Sequence, residues 1–168
     1  VWTVATGLVC GARVSLLVGL VSALLAAFLG LTIGAAGGYW GGRVDQVLMR
    51  LTEVFQTVPK FVLAVVLVAV FKPTLLTEVI AIGVVSWPAT ARLARTEFMR
   101  LRNREFVLAA RTMGLSSAQV MWRHILPNAL GPVLVVATLT IATAIQTEAA
   151  LAFLGLSDPN VMSLGDLI

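Results

Sequence analysis

A polytopic all-α bundle with lipid for solvent is the fold class this sequence predicts, and three observations carry it. The 168 residues are 59% hydrophobic and 12% charged, with a mean hydropathy of +0.98, far from the soluble-domain balance of about half apolar and a quarter charged. The apolar residues fall in blocks of bilayer-crossing length, two of them uncharged over 23 residues, Val14 to Ala36 and Ile125 to Thr147. The basic residues gather in the connections on one side of those blocks. Such a composition excludes a water-soluble enzyme, a disordered chain, collagen and a coiled coil. One cysteine, Cys10, and one histidine, His124, leave no disulfide framework and no multi-ligand zinc site of these residue types. No catalytic residue, metal or cofactor is therefore expected.

The first span, 14–36, rises about 1.5 Å per residue, enough to cross the roughly 30 Å hydrocarbon core. A cleavable signal peptide would have an apolar core of only about 7–15 residues behind a basic start, and Val1 to Ala12 contains no basic residue. Ser22, Ala26, Gly30, Gly34 and Gly38 form a row of small residues at four-residue spacing, which permits close approach of another helix. The second span, 47–71, is interrupted by Pro59 and carries Glu53, Gln56 and Lys60. Their i, i+3, i+7 spacing predicts one helical face, and polar groups at membrane depth face a cavity or another helix. Two readings of Lys60 stand side by side: it lines a path, or it snorkels or pairs with a partner subunit's carboxylate. The third span, 75–94, holds Glu78 near one end and Pro88 near the other, and the fourth, 129–150, starts after Pro127 and Asn128.

Four spans define alternating sides. Arg43, Arg50, Arg92, Arg95, Arg100, Arg102, Arg104, Arg111 and Arg123 lie on one of them, which is nine of the twelve basic residues. The positive-inside rule puts that side, connections 37–46 and 95–128, in the cytoplasm. The basic character, with a pI near 10.2, is thereby explained by orientation and not by nucleic acid. The first span enters from outside, so an earlier span is expected ahead of it.

The connection 95–128 is long for a loop and has helical patterning of its own. Glu97 to Met113 is rich in helix formers, Gly114 ends a helix by adopting the left-handed conformation, Ser116 with Gln119 makes a capping box, and Pro127 stops the second helix. Its arginines can bind anionic membrane lipid, each at about 1 kcal/mol. Ala109 and Ala110, just ahead of the glycine turn, equally allow another protein to dock closely.

Ala109-Ala110, then Gly114, then Leu126-Pro127 with the proline thirteen residues after the glycine, resembles the EAA loop of permease subunits of binding-protein-dependent ABC importers. The strings Phe106 to Gly114 and Arg123 to Leu130, Gly11 to Leu16, and Glu148 to Leu156 are similar to the dipeptide/oligopeptide/nickel branch. The resemblance covers residues 11 to 168 and implies the type I importer permease fold, with spans two to five of six present and the outer two missing. It also implies a cytoplasmic helix-turn-helix coupling loop in which Ala109, Ala110 and Gly114 pack into a cleft of an ABC ATPase, beside Arg111, Met113, Leu126 and Pro127. A second, homologous permease subunit and an extracytoplasmic solute-binding protein are the other implied partners, in a bacterial or archaeal cytoplasmic membrane. The sequence departs from the pattern at Leu108, where the loop's glutamate usually stands, at Lys60 after Pro59, at Leu164-Gly165 in place of Trp-Gly, and in Val1 to Cys10, which lacks a Gly-Arg-Asp string.

A phosphate-binding loop cannot be built here, because Lys60 follows Pro59 and Lys72 follows Phe71 where a Gly-Lys pair is required. ATP hydrolysis is accordingly expected from a partner chain, and this chain is expected to be a non-enzymatic subunit forming half of the path for peptides or a related small solute. Two other functions compete: an ion-coupled secondary transporter or channel using Glu53, Lys60 and Glu148, and a membrane anchor with a lipid-binding basic loop. Neither accounts for the Ala-Ala, Gly and Leu-Pro spacing.

Overall fold

The computed structural model describes residues 2–158, so Leu164-Gly165 lies outside the described residues. Seven α-helices follow one another, α1 (Trp2–Trp40), α2 (Gly42–Thr57), α3 (Lys60–Phe71), α4 (Leu75–Leu101), α5 (Glu105–Thr112), α6 (Ser117–Val120) and α7 (Leu126–Phe153), with a π-helical turn, Met121–Ile125, joining the last two. No strand occurs among the described residues. Val9–Trp40 and Ser117–Phe153 are each long and apolar enough to cross a membrane, and α2 with α3 makes a third such segment if the pair is taken as one span.

The seam between α1 and α4 is the centre of the bundle. The small-residue row of α1 lies along it. Ser22 donates its hydroxyl to the Val79 carbonyl at 3.2 Å, and Ala26 packs with Trp87 and Ala91. At Gly38 an added Cβ would lie 2.5 Å from the Arg95 carbonyl oxygen and 2.7 Å from the Phe98 Cβ, and Gly30 and Gly34 meet Trp87, Thr90 and Ala91 as closely. Only hydrogen in place of a side chain permits this approach of two backbones. Leu25 answers from the other side by covering Gly83 of α4. α7 closes the bundle against both helices: Gly19 of α1 receives Ile145, and Ser15 donates to Glu148 Oε2 at 2.8 Å.

Outward faces are apolar, with Leu16, Leu24 and Phe28 of α1 and Leu134, Val135 and Leu139 of α7 all exposed. A helix hydrophobic all round suits lipid and not water.

Three expectations are corrected. The segment 47–71 is not one helix: α2 and α3 meet at 82°. Pro59 disfavours helical geometry at the residue before it, and Val58 is extended at φ −89° and ψ 132°. Glu53 and Gln56 therefore belong to α2 and Lys60 to α3, and the three do not share one helical face. The helix expected over Glu97 to Met113 is also split. α4 runs on to Leu101, well past the expected end of its span, and a turn at 102–104 precedes α5. Arg102 is held there by donating to the carbonyls of Gly38 and Tyr39 at 3.3 and 3.2 Å, which satisfies the open C-terminal end of α1. Finally, Pro127 does not stop the second loop helix. It stands in the first turn of α7, where its missing N–H is tolerated, and the preceding π-turn, closed by Leu126 N–H on Met121 O, carries the chain through. Asn128 Nδ2 donates to the His124 carbonyl at 2.7 Å.

Candidate functional site

The residues singled out from the sequence fall at two places in the bundle. The first is the loop after α4. Met113 leaves helical geometry and Gly114 takes φ 84°, after which Leu115 N–H returns to Ala110 O at 3.3 Å and Gly114 N–H to Arg111 O at 3.0 Å. That pair of bonds is a Schellman closure, which asks for a residue with positive φ. The capping box then starts α6: Gln119 N–H donates to Ser116 Oγ at 3.3 Å and Ser116 N–H to Gln119 Oε1 at 2.9 Å.

These local signals produce a helix with two different faces. Val107 and Ala110 point inward and pack with Tyr39, Phe98, Leu101, Val120, Ile125 and Ala129. Leu126 packs against the same cluster. Leu108, Ala109, Arg111, Met113, Gly114 and Pro127 are exposed, Met113 at 72%. Ala110 is 1% exposed, so the expectation that it presents itself to a partner is corrected: its small size lets α5 sit down on the bundle. The Arg111 guanidinium lies 5.6 Å from the centre of the Tyr39 ring, a cation–π contact that ties α5 to the end of α1.

The second place is the bend between α2 and α3, which divides the residues expected along the path. Lys60 lines a cavity of about 150 Å³ between α3, α4 and α7, with Ser86, Thr140, Thr143 and Thr147 among its walls. Glu53 and Gln56 line a separate polar cleft with Thr52, Arg92 and Arg95. There Glu53 pairs with Arg50 at 3.0 Å, and Gln56 accepts from the Arg92 guanidinium.

Asp45, which sequence reasoning did not single out, anchors this cleft. Both its carboxylate oxygens accept from Arg95 of α4, joining α2 to the seam. Hydrogen bonding from Arg95 holds the Asp45 carboxyl below the usual carboxylate range, the charges of Arg95 and Arg102 add to the effect, and desolvation opposes it. Arg95 is raised in turn, first by its bond to Asp45. Glu78 and Glu148 are also buried, at 1% each, toward the end of the bundle away from the loop. The signal for Glu148 was present as a lone carboxylate at the edge of an uncharged run, but its partner Ser15 is 133 residues away. Among the described residues no group of His, Cys, Asp and Glu is arranged to hold a metal ion.

Residues 26–168 match the family described as the binding-protein-dependent transport system inner membrane component. The oligopeptide transport system permease protein OppC of Bacillus subtilis is 39% identical over 149 residues, covering 89% of this chain and 49% of that protein. The dipeptide transport system permease protein DppC of Alkalihalophilus pseudofirmus is 40% identical over 151 residues, with coverages of 90% and 50%. The di/tripeptide transport system permease protein DppC of Pseudomonas aeruginosa is 41% identical over 149 residues, with coverages of 89% and 49%. The chain thus spans about half the length of the curated relatives it matches. A solved inward-facing structure of the MetNI methionine ABC transporter superposes with a TM-score of 0.79 at 21% identity, covering 95% of this chain and 77% of that one. At that identity the likeness is one of fold.

Proposed function

The chain belongs to the binding-protein-dependent transport system inner membrane component family, and from that premise we propose that it forms half of a solute path through a cytoplasmic membrane, with the 95–128 segment receiving the motion of a separate ABC ATPase. The observation that carries the proposal is the division of α5 into a fixed face and a free one. Val107 and Ala110 are locked into the bundle, while Ala109, Met113 and Gly114 stand out from it. A force applied to the free face is passed through Tyr39, Phe98 and Leu101 to α1 and α4, the two helices that pack most tightly. Lipid binding by the arginines does not call for such a platform, and an ion-coupled mechanism gives it nothing to receive.

In this reading connections 37–46 and 95–128 face the cytoplasm and Lys60 lines the path, while Glu53 and Gln56 sit in the cleft that joins α2 to α4. ATP is hydrolysed by the partner chain. A second permease subunit completes the path, an extracytoplasmic binding protein delivers the solute, and the peptide permeases among the relatives make a peptide the leading cargo.

The test uses the exposed alanine. Ala109→Arg introduces bulk and charge on the free face without entering the core, so thermal stability should stay within about 0.5 kcal/mol. Co-purification with the ATPase and ATP-driven uptake should both be lost. Retention of both at wild-type levels would sink the coupling assignment.

A further inference from the structure

The cavity beside Lys60 has a chemical polarity that the family assignment does not supply. Thr140, Thr143 and Thr147 recur at helical spacing on one side of α7, and all three line the cavity. Each hydroxyl donates its proton back to its own helix: Thr140 to Val136 O at 2.8 Å, Thr143 to Thr140 O at 3.0 Å and Thr147 to Thr143 O at 2.8 Å. With the proton committed, what each hydroxyl offers the cavity is oxygen lone pairs. The wall on α7 is therefore a row of acceptors.

Lys60, on the opposite wall, is the reverse. Its ammonium is a donor of three bonds with no acceptor capacity, and no carboxylate among the described residues pairs with it. It opens α3, whose start has no side-chain cap, so the partial positive charge of the helix start has the same sign as the ammonium. A cationic donor on one wall and acceptors on the other are complementary to a group with a carboxylate at one end and N–H donors at the other. At about 150 Å³ the cavity is smaller than the roughly 300–1,000 Å³ of pockets that enclose a whole ligand, and it takes the end of a solute.

Resting on the permease reading above, we propose that this cavity is a transit site for the carboxylate terminus of a peptide-like solute, with Lys60 receiving the carboxylate and the Thr140, Thr143 and Thr147 oxygens receiving its N–H groups. The test is uptake of a dipeptide and of the same dipeptide amidated at its C-terminus, by the full-length protein in its assembled transporter in proteoliposomes. Wild type, Lys60→Ala, Lys60→Gln and Lys60→Arg are compared, with ATPase co-purification as the check on assembly. The binding protein contributes equally to all four, so its own preference cancels in the ratio between variants.

Wild type should favour the free acid. Lys60→Ala and Lys60→Gln should each reduce that preference roughly tenfold, about 1.4 kcal/mol, and Lys60→Arg should keep most of it. A wild type that takes acid and amide equally, or a preference unchanged in both neutral variants, would overturn the carboxylate site while leaving the permease reading in place. Failure of the wild type to take up either probe, with ATP and binding protein present, would instead remove the peptide reading beneath it.

Discussion

The α1–α4 seam and the α2–α3 elbow are held by opposite means. The seam is apolar and close-packed, with glycines letting backbone meet backbone at Gly30, Gly34 and Gly38. The elbow is attached to α4 by polar side chains, Asp45 on Arg95 and Gln56 on Arg92, around an open cleft. Close packing is steep and short in range, so the seam has one arrangement or none. Polar ties across a cleft can be exchanged for water at modest cost. α1 and α4 are thus the rigid body of the bundle and α2 the part able to shift against it. α5, fixed by Val107 and Ala110, belongs with the rigid body.

The most severe break of the seam is Gly34→Leu, which places a branched side chain against the Ala91 backbone and Ala94. A loss of about 3 kcal/mol or more is expected, seen as a lower Tm and aggregation in detergent. A variant of wild-type stability would show that the seam is looser than described. Next in size is Asp45→Ala, which leaves Arg95 without its partner. The pair is partly exposed, Arg95 at 30%, so a cost on the order of 2 kcal/mol is expected, below that of a fully buried pair. Hydrogen exchange should quicken over α2 and stay slow over α4.

The same tie predicts a pH dependence with a definite sign. Because the folded Asp45 is held below its ordinary value, its contribution is complete above the unfolded pKa of about 3.9 and fades as pH falls through the lowered value. Protection of α2 should therefore drop on acidification below about pH 4, and Asp45→Asn should abolish that step.

Smaller effects sharpen the view of α5. Ala110→Leu should cost about 1–3 kcal/mol by overpacking, whereas Ala109→Leu should change stability by less than about 0.5 kcal/mol. Equal effects on thermal stability would contradict the two-faced helix. Gly114→Ala meets no atom within 4 Å, so its cost is that of the left-handed backbone alone, about 1 kcal/mol.

Features built from neighbouring residues were legible in the sequence: the small-residue row, the Gly114 turn and the Ser116–Gln119 box all form as their spacing predicts. Pro59 signalled an interruption, but its 82° angle follows from how α3 packs on α4, which no local pattern records. The Asp45–Arg95 tie joins residues fifty apart, and no spacing rule points from one to the other. Ala110 was a partial miss, since Val107 three residues earlier marks the inward face and the two residues share it. Glu53, Gln56 and Lys60, expected together along a path, line two separate cavities. Treating them as one face failed because the periodicity was carried across a proline.

The π-turn at Met121–Ile125 acts as a phase setter for all of α7. Each residue of an α-helix advances the chain by about 100°, so the wider turn, closing its bond from Leu126 to Met121, fixes the azimuth at which every later side chain emerges. Winding the same residues as a regular α-helix would swing Thr140, Thr143 and Thr147 by about 100° away from Lys60, whereas removing one residue from the wide turn would restore a regular helix and leave them where they are. The turn lies directly after α6 and the threonines lie far along the same rod, so local winding at one end of α7 sets which side of it the threonines occupy at the other.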